Sequence, residues 1–263
     1  MTNEPALTLT DEERAALRAA VLRLECAGFL IKAASALGAP IERLLNAIPE
    51  KARDLVQEAT KRAIERCLDI AIKSLGSRTG TGSLDVLHKA ACTASGALGG
   101  FFGMYALPIE LPFSTAIMLR SIAEIAREEG EDLDDMEAKL ACVSVFALGA
   151  HNRKDDDAEV GYFAVRAALA KALPNLAERT LPRALSRFVA IIAERFGLVV
   201  SEKVVAEAVP IVGAVGGSTI NLVFIDHFQE VAHGHFTVRR LERKYGQAFV
   251  RRQYEELRRD LNC

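Results

Sequence analysis

Residues 96–103 read GALGGFFG. Half of this stretch is glycine, yet it lies within a run from Ala90 to Ile109 that carries no charge. A second uncharged run extends from Ala208 to Ile225 and contains a related phrase, GAVGG, at 213–217. Gly96 and Gly100, Gly99 and Gly103, and Gly213 and Gly217 each stand four residues apart. On a helix that spacing puts both glycines on one face, where a second backbone can approach closely. Each glycine costs a helix about 0.5–1 kcal/mol relative to alanine. The pattern therefore predicts a compensating contact: two central helices meeting through Gly96, Gly99, Gly100 and Gly103 on one and Gly213, Gly216 and Gly217 on the other. Both runs are long enough to cross a bilayer. Their content of Ala, Gly, Ser and Thr, the Pro108–Glu110–Pro112 interruption and the lack of clear basic flanks favour a core in water, with reversible insertion as the alternative.

Outward from these segments the chain reads as all-α. The 263 residues are 50 % apolar and 26 % charged, which suits a globular body with a sizeable core. Thr10 and Glu13 have the spacing of a capping box and open a helix expected to run to about Leu37, before Gly38 and Pro40. Val56, Ala59, Ala63, Cys67 and Ile70 form one face of a helix over 51–75. The stretch 74–83, SLGSRTGTGS, is a break that lacks the phosphate-loop pattern. Further helices are expected near 84–105, 112–129, 134–149, 158–174, 181–196, 199–208, 210–234 and 236–260. Gly130 is a C-cap candidate, Asp134 and Glu137 repeat the capping spacing, and HNRKDDDAE at 151–159 is a polar loop. Residues 1–50 are read as an N-terminal helical extension and 51–263 as the main helical domain.

A net charge of −2 gives no sign of a nucleic-acid binder. Five cysteines without a CxxC pair point to a reduced, cytoplasmic setting, and the polar, acidic N-terminus does not resemble a signal peptide.

Three long strings carry a family resemblance: GALGGFFGMYALPIELPFSTAIMLRSIAEIAREEGED at 96–132, VSVFALGAHNRKDDDAEVGYFAVRAALA at 143–170 and VPIVGAVGGSTINLVFIDHFQEVAHGHFTVRRLERKYG at 209–246. In this order and spacing, over roughly residues 50–255, the chain resembles the EcsC family of bacterial proteins. The resemblance implies a helical bacterial protein and no agreed molecular activity. The family name derives from a gene beside an ABC transporter, so a role accessory to a transporter is one implication.

Several residues are candidates for function. Glu110 is a lone carboxylate amid apolar sequence. It either pairs with Arg120 or a ligand, or sits exposed at the N-terminus of the 112–129 helix. Arg120 and Glu124 are four apart and could extend that network. Asn221 lies on the glycine face, four residues after Gly217, and would need a bonded partner there. Asp226, Glu230 and His233 share a helical stripe of metal-ligand types, so a divalent metal is possible, although a solvated face has the same pattern. No other cofactor is expected, and no nucleophile arrangement such as GxSxG occurs. The C-terminal stretch RRLERKYGQAFVRRQYEELRRD sets eight bases against four acids, which suits either an anionic membrane surface or an ordinary terminal helix. The main expectation is a non-enzymatic helical protein that associates with the cytoplasmic membrane, peripheral to it, or binds a lipid or other apolar ligand. A metal-dependent hydrolase at Asp226, Glu230 and His233 is the alternative, and a soluble scaffold for a protein partner is the second alternative.

Overall fold

The computed structural model describes residues 8–26, 28–37, 50–75, 107–150, 161–173, 181–208 and 214–262. The first helix, α1 (Asp11–Val21), begins with the expected capping box: the Glu13 N–H donates to Thr10 Oγ1 at 3.2 Å and the Thr10 N–H to Glu13 Oε2 at 3.0 Å. The helix does not run unbroken to Leu37. Leu22–Cys26 winds as a π-helical turn, and α2 (Phe29–Leu37) starts after Gly28. The wide turn carries Glu25, a buried carboxylate whose bonding partners lie on distant helices.

Helix α3 (Glu50–Ser74) has the expected inner face, with Val56, Ala59, Ala63 and Cys67 buried and Ile70 packed at its edge. Helix α4 (Leu107–Glu128) starts five residues earlier than expected and contains Pro112. That proline removes the N–H that would bond the Pro108 carbonyl. Gly130 closes α4 at φ +80°, with the Glu131 N–H bonded to the Ala126 carbonyl at 2.9 Å, as in a Schellman motif. Helix α5 (Met136–Leu148) is capped by Asp135, one residue later than expected, through a 3.3 Å bond from the Glu137 N–H.

After α6 (Tyr162–Ala172), helix α7 (Leu181–Ala208) runs straight through Gly197, where two helices were expected. A lone glycine costs too little to break a helix anchored on both sides of it by buried Phe196, Val199 and Val200. Helix α8 (Ala214–Tyr245) likewise continues past Gly234, and the break falls at Gly246, φ +84°, before α9 (Gln247–Leu261).

Among the described residues there are nine α-helices and no strand, so the chain is all-α. Helix α8 is the axis: it packs against α1, the π-turn, α2, α4, α5, α7 and α9. Helix α5 lies beside it, and every residue from Leu140 to Ala150 is buried. A helix with no polar side can exist only when wrapped, and α3, α4, α6, α7 and α8 wrap it. Where these helices converge, Phe228 stands 5.4 Å from Phe146, 5.4 Å from Phe196 and 5.2 Å from Phe224. Helices α1 and α2 contribute Leu17, Ala20, Val21, Phe29 and Ala33 to the same core.

Gly96, Gly99, Gly100, Gly103 and Gly213 lie outside the described residues, as do the helix expected at 84–105 and the polar loop at 151–159. Gly216 and Gly217 belong to the first turn of α8. Close backbone approach through glycine is found at other positions. A Cβ on Gly234 would lie 2.8 Å from Leu24 Cγ and 3.3 Å from the Ala20 carbonyl, and one on Gly149 would lie 2.5 Å from Phe228 Cε1. Among the described residues, no helix is long and apolar enough to cross a membrane.

Candidate functional site

Helices α3 and α7 cross closely, with the Cβ position of Gly197 3.8 Å from Thr60 Oγ1. At this crossing lies an open groove of about 1010 Å³. Val56 and Leu68 line it from α3, and Leu185, Val189, Ala193 and Leu198 from α7. Lys61, Glu65 and Glu194 stand among its polar lining. Its lining on α7 extends from Pro182 to Ser201, a rise of about 28 Å along the helix. The volume is that of a small-molecule site, in an elongated form.

Glu110 does not meet Arg120. Both belong to α4, ten residues or about 15 Å apart along its axis, and Arg120 is exposed. Glu110 instead faces Lys203 of α7, whose ammonium is 3.3 Å from Glu110 Oε1 and 3.3 Å from Glu207 Oε1, and 5.3 Å from the Phe224 ring centre. Only 1 % of the Lys203 side chain is exposed. Burial opposes its charge, but Glu207 and Glu110 outweigh that and raise its pKa above the ordinary lysine value. Its one sequence signal is a cation amid valines with Glu207 four residues on. Glu124 is half-buried on α4.

The Asp226–Glu230–His233 stripe faces the N-terminal helices. Arg23 bonds Glu230 at 2.6 Å, and Lys32 is held between burial, which lowers its pKa, and the opposing fields of Glu230 and Asp226. Asp226 is exposed and His233 half-buried. Among the described residues, no group of three His, Cys, Asp or Glu side chains is placed to hold a metal ion. Asn221 is fully buried on α8. Cys67 and Cys142 are free and buried, whereas Cys26 is disulfide-bonded, which departs from the expectation of unpaired cysteines.

A buried polar cluster that joins four elements has no counterpart among the sequence expectations. Glu25 Oε1 accepts the Tyr162 N–H at 3.1 Å and the Tyr254 hydroxyl at 3.0 Å. The Tyr162 hydroxyl is 2.8 Å from His235 Nδ1 and accepts from Arg166 at 3.2 Å, and Arg166 grips Glu242 through two 2.8 Å bonds. Burial, then Arg166 and Arg239, hold the His235 pKa well below its ordinary 6.5. A base with a depressed folded pKa binds fewer protons folded than unfolded. Its contribution is therefore complete above about pH 6.5 and declines as the pH falls below that, by about 1 kcal/mol per unit. Urea unfolding at pH 7.5 and 5.5 should show this loss, and His235→Asn should flatten the slope.

The basic C-terminal stretch is committed to the fold. Val250, Tyr254 and Leu257 of α9 are buried. Arg239 bonds Glu131 at 2.8 Å and Arg240 bonds Glu129 at 2.6 Å, while Arg243 also reaches Glu131. Lys244 bonds Glu13 at 2.7 Å. The apolar face needed for a membrane-surface helix here is covered by the protein itself.

No curated protein and no solved structure matches the chain. A family model does match, and it spans both the α3–α7 groove and the Glu110–Lys203 pair. Over residues 31–241 the sequence fits the EcsC protein family, and the chain belongs to that family.

Proposed function

We propose that this is a non-enzymatic helical protein that binds a lipid-like apolar ligand along the groove between α3 and α7. The carrying observation is the groove itself: about 1010 Å³, elongated, walled by aliphatic side chains, with charge at Lys61, Glu65 and Glu194. An acyl chain has the length and polarity for such a trough, and a polar head can stay at the charged margin. The ionisable groups buried elsewhere are tied to one another, as Lys203 is to Glu110 and Tyr162 to His235, which suits structure better than turnover.

Titration with a fluorescent fatty acid tests the reading. Saturable binding is expected, and Ala190→Trp should weaken it at least tenfold without lowering the melting temperature. Ala190 is an exposed groove residue, so the indole fills the trough rather than the core. Absence of saturable binding by the unaltered protein would rule the reading out.

A further inference from the structure

We infer that the N-terminal tip of α4 is a membrane contact, in which Ile109 and Phe113 enter an anionic leaflet and Arg120 meets a lipid phosphate. Ile109 is 82 % and Phe113 57 % exposed, the two largest exposures among the big apolar side chains of the described residues. They stand four apart and share one side of the helix. Arg120, exposed and eleven residues after Ile109, continues that side. It is set back from Phe113 by about 10 Å, close to the depth to which interfacial anchors enter a leaflet.

The charge pattern selects the occupant. Glu110 is the sole charged residue between Leu107 and Leu119, and Lys203 holds it inward with 13 % of its side chain exposed. Along α4 itself no further charge appears until the cation at Arg120, while Glu207 of α7 shares Lys203 and keeps 29 % of its side chain exposed. Two projecting side chains offer at most about 400 Å², roughly half of what one partner supplies in a stable protein interface. That area is enough for an interfacial anchor on a bilayer.

This inference stands on residues other than those of the groove, so either can fail alone. The test uses the full chain with vesicles of phosphatidylcholine, with and without phosphatidylglycerol. The chain should float with the anionic vesicles. Ile109→Ser with Phe113→Ser should lower the partition coefficient at least tenfold, and Arg120→Gln about fivefold on anionic vesicles only. Ala190→Trp should leave flotation unchanged. The chain contains no tryptophan, so Phe113→Trp supplies a single reporter whose emission should shift to the blue on vesicle addition. Failure to float, flotation unaffected by the double substitution, or an unshifted emission from that reporter would each overturn the inference. So would sedimentation showing a dimer that the double substitution dissolves, since a second copy would then be the occupant.

Discussion

Lys203→Ala is expected to lower the free energy of unfolding by about 3–5 kcal/mol, the usual cost of removing one partner from a buried ion pair. The truncation empties the space between α7 and α4 and leaves the Glu110 carboxylate and a second carboxylate without their shared cation. Glu207 is the weaker partner: its side chain remains 29 % exposed, and burial together with Glu110 raises its pKa. Glu207→Gln should therefore cost far less than Lys203→Ala. Lys203→Met combined with Glu110→Gln should recover most of the loss, because replacing both ends of a buried pair avoids the stranded charge. Urea denaturation of the three variants reads the differences. If Lys203→Ala unfolds with an unchanged midpoint, the pair contributes nothing.

Phe228→Ala should be comparably damaging, at about 3–5 kcal/mol. Phe228 is fully buried and touches Phe146, Phe196, Phe224 and His227, so its ring joins α5, α7 and α8. Gly149 supplies an internal check. A Cβ there would collide with the Phe228 ring at 2.5 Å, so Gly149→Ala alone should also destabilise. In the Phe228→Ala background the same methyl enters the vacated space. The double variant should then be more stable than the sum of the single losses by about 1–2 kcal/mol, a coupling expected only of residues in contact. Strict additivity would place the two groups apart.

What is legible in the sequence is local. The Thr10 cap, the inner face of α3, the Gly130 closure and the helix expected near 134–149 all follow from interactions within a few residues. Local signals fail where distant packing overrides them. Gly197 and Gly234 resemble breakers but lie inside α7 and α8, because burial on both sides outweighs the small cost of a glycine. Gly246 has the same composition signal, yet it takes the left-handed conformation that ends α8. Functional residues follow the same rule. Glu110 stands out in the sequence by its isolation, but its true partner lies 93 residues away on α7. His235 and Tyr162 are 73 residues apart, and nothing near either one announces the other.

The two ends of the chain are laced together. Glu13 bonds Lys244 and Tyr245 across 231 and 232 residues, and Glu25 bonds Tyr254 across 229. A ribosome delivers these partners far apart in time. During synthesis α1 and the π-turn emerge with a buried carboxylate whose set of partners is complete only when α9 follows. The nascent helices must therefore wait, incompletely closed, for α9. Emergence of α9, rather than of any earlier helix, is the moment at which this buried cluster can close.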